Sequence, residues 1–157
     1  MKVLLAAINA KYIHSNLGIY SLKTYGEKML KEWGLAEETK VSLAEYTINH
    51  QMEQILQDIY KRKPDVIGFS CYIWNISYVK MILADIKKVL PNVKIWAGGP
   101  EVSYDAPQLL VREPEVFGDP ERFFVTVCSQ NALLYAAELV LPGAGAYFWG
   151  RVYLEFV

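Results

Sequence analysis

The chain has 157 residues, of which 53% are hydrophobic and 21% charged, so it is long enough for one domain with a buried core and is not disordered. Its formal net charge of −1 argues against strong attraction to nucleic acid or to an anionic membrane, and neither partner is expected. The two cysteines, Cys71 and Cys128, are far apart, which predicts no disulfide framework and no zinc site and favours the cytoplasm.

Apolar runs typical of strands alternate with apolar stripes typical of helices. The first run, residues 2–8, has one lysine and no small-residue cleavage site, so it predicts a buried strand rather than a signal peptide. Further strands are predicted over residues 40–45, 66–70 and 93–97. Helices are predicted over residues 17–31, 52–60 and 76–89, and a short helix over residues 105–111.

This alternation predicts an α/β fold of the flavodoxin-like (Rossmann-like) kind, a doubly wound parallel sheet in three α/β/α layers. Such sheets bind ligands at the carboxyl ends of their strands, near the point where the strand order reverses. Three predicted loops lie at that edge, over residues 9–16, 71–75 and 98–103. The unusual polar, aromatic and glycine residues are concentrated there, which predicts a ligand site at this edge.

The carboxyl-terminal segment differs in composition from the rest of the chain. Between residues 123 and 150 the only charged residue is Glu138. A membrane helix needs about 20 apolar residues, but residues 129–131 and 142–143 interrupt this stretch, which favours a last strand over 123–127 and a helix over 131–139. We therefore expect a main domain over residues 1–118, followed by an atypical apolar segment over 119–157 that packs on it or is a non-native end.

The first loop, residues 9–16, combines polar and aromatic side chains. Asn16 is expected to cap the helix that follows. His14 is better placed than His50 for a functional role, with an ordinary surface position as the alternative interpretation. No second histidine, cysteine or carboxylate lies at metal-ligand spacing from His14, so no metal site is predicted.

The second loop, from Ser70 to Asn75, offers a hydroxyl group and two aromatic rings. Ser70 could donate a hydrogen bond to a ligand, and Tyr72 and Trp74 could cover a planar ring or, alternatively, fill core space beneath the loops. Cys71 is interpreted as a small buried hydrophobe rather than a nucleophile, because the sequence places no base beside it.

The third loop begins with Gly98, Gly99 and Pro100, followed by Glu101. Paired glycines at the end of a strand allow backbone to approach a bulky ligand closely, or simply form a tight strand-to-helix turn. Neither a phosphate-binding glycine motif nor a nucleophile elbow is present in the sequence, which disfavours the common dinucleotide folds and the α/β-hydrolases.

Two segments, PDVIGFS at residues 64–70 and IWAGGPEVS at residues 95–103, together with the order of elements, resemble the cobalamin-binding domain at the amino terminus of B12-dependent radical SAM enzymes. The resemblance covers roughly residues 1–118 and implies cobalamin as the cofactor. It also implies a radical SAM domain on the same polypeptide of a full-length parent, where S-adenosylmethionine and a 4Fe–4S cluster would bind. This chain lacks the three closely spaced cysteines of that cluster, so we expect no catalysis by the chain alone.

Corrinoid domains of this kind use three loops, and the resemblance assigns roles to them. The usual Asp-x-His-x-x-Gly motif reads here as Asn9-Ala10-Lys11, without the histidine, so no residue is assigned to cobalt. Ser70 would bond the nucleotide tail, the glycine pair would let that tail pass, and the first two loops would shield the corrin ring. The expected cofactor-binding residues are Asn9, Lys11, Tyr12, His14, Ser70, Cys71, Tyr72, Trp74, Asn75, Gly98, Gly99, Pro100 and Glu101. A Gly99→Leu change is expected to abolish binding and leave the fold intact.

A second hypothesis belongs to a different class: a cofactor-free flavodoxin-like protein-interaction domain whose apolar tail forms the contact surface. A phosphoreceiver version is disfavoured, because the first predicted strand ends at Ile8 and Asn9 and the third at Ser70, where acidic residues would be needed.

Overall fold

Five parallel strands form one sheet in the computed structural model, which describes residues 1–11, 14–103 and 123–126. The spatial order is β2-β1-β3-β4-β5, so the strand order reverses between β1 and β3. The strands are β1 Lys2–Asn9, β2 Lys40–Thr47, β3 Val66–Ser70, β4 Lys94–Gly98 and β5 Phe123–Thr126. This is the flavodoxin-like order, and it confirms the predicted fold class.

The helices between the strands cover both faces of the sheet. They are α1 Leu17–Glu32, α2 Met52–Arg62, α3 Ile76–Val89 and α4 Pro100–Ser103. On the face covered by α1, which we call the α1 face, Ile19 packs with Val3, Leu5 and Trp96. Helices α2 and α3 pack on the opposite face through a larger cluster that includes Ile55, Ile59, Val79, Ile82, Leu83 and Ile86.

The core follows from the sequence pattern of each element. Residues Val3 to Ile8 are all buried, as expected for a central strand covered on both faces. In α3 the buried residues Val79, Ile82, Leu83 and Ile86 recur at helical spacing. Full burial of one such side chain contributes about 1.5–3 kcal/mol, so these stripes bind the helices to the sheet and hold the strand ends in place.

The predicted strands and helices agree with the structure apart from small shifts at their ends and one additional helix, α4. Strand β3 and helix α3 have the predicted bounds. Helix α4 lies at Pro100–Ser103, where the sequence predicted a loop. Proline favours the first helical position because its φ is already fixed near the helical value, and Val102 of α4 is buried against the α2–α3 face. The helices predicted over 105–111 and 131–139 lie outside the described residues.

Strand β5 pairs in parallel with β4, and residues 123–126 therefore belong to the sheet. Its position agrees with the strand predicted over 123–127, of which residue 127 lies outside the described residues. Within the part of the chain that the structure describes, no helix has the length and apolar character needed to span a bilayer.

Candidate functional site

Small residues lie side by side across three neighbouring strands at their carboxyl ends. Ala7 of β1 is in register with Ser70 of β3, and Ser70 is in register with Gly98 of β4. Side chains alternate between faces along a strand, and Trp96 belongs to the α1-face core, so position 98 faces the same side. We call this row of small residues, Ala7–Ser70–Gly98, the trough; it lies on the α1 face beside the point where the strand order reverses, with Ala7 fully buried and Ser70 and Gly98 partly exposed.

Trp96 lies one step below this row and carries an unpaired hydrogen-bond donor. Its side chain is 4% exposed, and its indole Nε1 has no hydrogen-bond partner among the residues that the structure describes. A buried donor without a partner is unfavourable by about 1–3 kcal/mol and is uncommon in native folds. Among the described residues, the α1 face therefore contains a buried donor without an acceptor.

Asn16 connects the start of α1 to the end of β3. Its side-chain Oδ1 accepts a hydrogen bond from the backbone N–H of Ile19 at 3.3 Å, which confirms the predicted helix cap. Its Nδ2 donates to Ser70 Oγ at 2.9 Å. The asparagine therefore does more than cap the helix, because it also fixes the side chain of the serine at the centre of the trough.

Glu45, near the carboxyl end of β2, holds the first loop in place. Its Oε1 accepts hydrogen bonds from Asn9 Nδ2 at 3.0 Å and from the backbone N–H of Asn16 at 2.8 Å, and its Oε2 accepts from Tyr20 Oη at 2.7 Å. Partial burial opposes ionisation of this carboxyl group, but these hydrogen bonds outweigh burial and lower the pKa of Glu45 below its usual 4.5.

The lowered pKa of Glu45 predicts that its contribution to stability depends on pH. A carboxyl group whose pKa is lower in the folded state stabilises the fold above the unfolded-state pKa, about 4.5, and this contribution is lost as pH falls through the folded-state pKa. We expect Glu45→Gln to make the free energy of unfolding less dependent on pH below that value. Urea denaturation at a series of pH values from about 7 down to about 3 measures this slope, and equal slopes in both proteins would contradict the prediction.

The aromatic loop after β3 presents a flat surface. Tyr72 and Trp74 stack on each other, with ring centroids 4.5 Å apart and planes inclined by 7°. Trp74 is 48% exposed and Ile73 77% exposed, so this loop is not filling the core beneath it. The stacked pair, in which Tyr72 is half-buried and Trp74 exposed, lies at the same edge of the sheet as the trough and could cover an apolar ring system.

Cys71 and Asn75 have structural positions beneath that surface. Cys71 is fully buried, and burial raises the pKa of its thiol to about 12, which confirms the interpretation as a small hydrophobe. Asn75 is also fully buried. Its Nδ2 donates to the carbonyl groups of Ile8 and Ser70, each at 2.9 Å, and its Oδ1 accepts from the backbone N–H of Tyr72 at 2.8 Å. Asn75 thus joins the ends of β1 and β3.

The backbone conformation at position 99 and its contact with Cys71 require a glycine there, whether or not a ligand binds. Its φ is +115°, and a Cβ at this position would lie 2.3 Å from the carbonyl oxygen of Cys71. The loop is joined to Cys71 by further backbone bonds, from Cys71 N–H to Gly98 O and from Glu101 N–H to Cys71 O at 3.4 Å. The expectation that Gly99→Leu leaves the fold intact is therefore wrong, because a leucine there would collide with backbone.

The remaining predicted site residues differ in their exposure to solvent, and one of them lies outside the described residues. Asn9 is partly buried and bonded to Glu45, whereas Lys11 and His14 are exposed. Tyr12 lies outside the described residues. Pro100 and Glu101 are exposed at the start of α4. The structure thus brings the first loop, the aromatic loop and the glycine loop to one edge of the sheet.

Sequence reasoning missed Glu45, Trp96 and Ala7, and assigned Asn16 only a capping role. A signal existed for Glu45, because it is the charged residue at the end of the predicted second strand. Trp96 could have been found from strand alternation, because it lies two residues before Gly98 and so shares its face. The role of Ala7 depends on register and left no local signal.

Comparison with known proteins agrees with this geometry. Residues 3–127 match the B12 binding domain family. A stretch of 40 residues is 42% identical to the cobalamin-dependent radical SAM methyltransferase TokK of Streptomyces tokunonensis, and it covers 26% of this chain and 6% of TokK.

Among solved structures, the cobalamin-dependent S-adenosylmethionine radical enzyme OxsB, with aqua-cobalamin and S-adenosylmethionine bound, matches 88% of this chain and 18% of its own with a TM-score of 0.63 at 19% identity. A cobalamin-binding protein from Desulfitobacterium hafniense DCB-2 matches 88% of this chain and 56% of its own with a TM-score of 0.51 at 15% identity. At these identities the two structures show the shared fold.

The described residues define a parallel α/β domain with a row of small residues at the carboxyl edge of its sheet. The chain belongs to the B12-binding domain family. It is similar to the cobalamin-binding module of cobalamin-dependent radical SAM enzymes, and it spans less than a fifth of the length of TokK and of OxsB.

Proposed function

We propose that this chain binds cobalamin at the carboxyl edge of its sheet and serves as the cofactor module of a radical SAM enzyme. The observation that carries the proposal is the row Ala7–Ser70–Gly98 on the α1 face, with the unpaired donor of Trp96 beneath it. Small side chains leave space for a bulky group, and the buried donor needs an acceptor that the described residues do not supply.

The residues present fit such a cofactor in three places. Ser70 and Trp96 would hydrogen-bond the nucleotide tail in the trough, and Gly98 would leave room for it. The stacked pair of Tyr72 and Trp74 would cover the corrin ring and exclude water from it. When bound, cobalamin supplies a cobalt centre that carries a methyl group or an electron.

The chemistry of a whole enzyme would need a second domain. The resemblance and the relatives support a radical SAM domain on the same polypeptide of the parent, which would hold S-adenosylmethionine and a 4Fe–4S cluster. In this proposal the described module contributes binding and orientation and has no turnover alone. The proposal places it in the cytoplasm without a nucleic-acid partner, in line with its net charge of −1.

Titration of the purified chain with hydroxocobalamin tests this function. We expect a 1:1 complex with a shifted visible spectrum and a dissociation constant below about 100 μM. Ser70→Ala should weaken binding by about tenfold, as expected for the loss of one hydrogen bond to the ligand. Isothermal titration calorimetry gives both the stoichiometry and the affinity.

The matched control is Ser21→Ala, which removes an exposed hydroxyl from α1 away from the trough. It should leave the affinity unchanged. A folded wild-type chain that shows no binding at about 100 μM hydroxocobalamin would overturn the proposed function and favour a cofactor-free interaction domain.

A further inference from the structure

The side chain of Asn16 is held in one orientation by two different partners. Its Oδ1 must face the backbone N–H of Ile19, from which it accepts a hydrogen bond at 3.3 Å. An amide has its oxygen and nitrogen on opposite sides, so Nδ2 is directed toward Ser70 Oγ, 2.9 Å away. The direction of the second bond follows from the first: Asn16 donates and Ser70 accepts.

The hydrogen bond from Asn16 leaves the Ser70 hydroxyl with its own proton to donate. A serine hydroxyl has one proton to donate and two lone pairs, and one lone pair is used by Asn16. Among the described residues, Ser70 Oγ has no acceptor for its own proton. The proton is therefore available to a ligand in the trough, at the position where Ala7, Ser70 and Gly98 lie in register.

We propose that Asn16 is a positioning residue that fixes Ser70 as a hydrogen-bond donor toward the cofactor. This inference rests on the proposed function. Its consequence is that Ser70 directs its own proton toward an acceptor atom of the cofactor.

Two further contacts hold Asn16 in this geometry. Glu45 Oε1 accepts from the backbone N–H of Asn16 at 2.8 Å, which fixes the start of α1 against β2. Gly18 leaves room for the amide, since a Cβ there would lie 3.0 Å from Asn16 Oδ1. The first loop, α1, β2 and β3 therefore all contribute to the orientation of one hydroxyl group.

Asn16→Asp tests the inference with almost no change of shape. An aspartate keeps the helix cap, because its carboxylate still accepts from the N–H of Ile19. It cannot donate to Ser70, so the Ser70 proton turns toward the new carboxylate and away from the cofactor. We expect the dissociation constant for hydroxocobalamin to rise by about tenfold, as in Ser70→Ala.

A double-mutant cycle separates positioning from a general effect of the new charge. If Asn16 acts through Ser70, the double variant Asn16→Asp/Ser70→Ala binds about as well as either single variant, about tenfold below wild type. Multiplicative losses, about 100-fold in the double variant, would overturn the inference. Unchanged binding in Asn16→Asp would overturn it as well.

An uncharged variant covers the case in which the new carboxylate of Asn16→Asp destabilises the protein beside Glu45. Asn16→Ser keeps a capping oxygen but is too short to donate to Ser70, so the Ser70 hydroxyl rotates freely. We expect it to weaken binding by about threefold and to show no further loss when combined with Ser70→Ala beyond that of Ser70→Ala alone. A full additional threefold loss in the combination would contradict the inference.

A measurement without cofactor distinguishes failure of this inference from failure of the proposed function. In the apoprotein, the carboxamide protons of Asn16 give side-chain NMR signals that should shift in Ser70→Ala and stay unchanged in Ser21→Ala. If the Asn16 signals are unchanged in Ser70→Ala, the inference is overturned, whether or not the chain binds cobalamin. If the Asn16 signals shift in Ser70→Ala but the wild-type chain fails to bind hydroxocobalamin, the orientation of Ser70 is upheld. The proposed function is then overturned.

Discussion

Replacing Gly98 with valine is expected to weaken hydroxocobalamin binding by about 100-fold while the sheet stays intact. Gly98 ends β4 in register with Ser70, and its φ is not in the left-handed region. A branched side chain suits this extended backbone, so we expect the sheet to form in the variant. Its methyl groups would, however, occupy the trough on the α1 face beside Ser70, where the nucleotide tail is proposed to lie.

The matched control for Gly98→Val is a glycine with free space around it. A Cβ added to Gly26 of α1 would have no atom within 4 Å, so Gly26→Ala meets no steric obstacle. It should leave cobalamin affinity unchanged and stabilise the helix by about 1 kcal/mol. Titration calorimetry and thermal denaturation of both variants give the comparison, and a folded Gly98→Val protein with wild-type affinity would exclude the trough as the binding site.

Replacing Gly99 with alanine is expected to destabilise the fold by about 3 kcal/mol or more. Its φ of +115° is unfavourable for any residue with a side chain, and the new Cβ would lie 2.3 Å from the carbonyl oxygen of Cys71. Because that neighbour is backbone, relief requires the aromatic loop or the start of α4 to move. Cobalamin binding should be lost together with this local structure, and urea denaturation measures the change in stability.

Gly34→Ala is the control that separates the effect of backbone strain from the effect of the collision with Cys71. It also has a positive φ, +72°, but a Cβ there has no atom within 4 Å. Gly34→Ala should therefore lose only the left-handed backbone preference, roughly 1–2 kcal/mol, and keep its affinity for cobalamin. If Gly99→Ala were no more destabilised than Gly34→Ala, the contact with Cys71 would not be the reason for a glycine at position 99.

Together these variants test whether Gly98 and Gly99 have different roles. Gly99 shapes the loop, because its bare backbone allows the chain to close over Cys71. Gly98 shapes the site, because it continues the row of small residues that begins at Ala7. In the sequence the two glycines form one close-approach motif, and only the structure distinguishes them.

Much of the fold could be predicted from local pattern. The continuous apolar run of β1 and the apolar stripe of α3 indicated the correct elements, and β3 was predicted with its observed bounds, Val66–Ser70. Helix α4 was missed because its four residues are too few for a periodic pattern. The loops of the site were placed at the correct edge, since parallel strands put all their carboxyl ends on one side.

The chemistry inside the site could not be predicted in the same way. The bond from Asn16 to Ser70 joins residues 54 positions apart, and that from Asn16 to Glu45 joins residues 29 apart. Neither residue carries a local signal for the other. Their contact depends on β1 lying between β2 and β3 in a particular register, which is a property of the assembled sheet.

Short-range periodicity and contiguous motifs were sufficient to predict the α/β class, the edge of the sheet that carries the loops and the resemblance to cobalamin-binding domains. The folded structure was needed to show that Asn16 donates to Ser70, that Trp96 has a buried donor without a partner among the described residues, and that a Cβ at Gly99 would collide with the backbone of Cys71. Those facts depend on strand register and on close approach of distant segments, which exist only once the chain has folded.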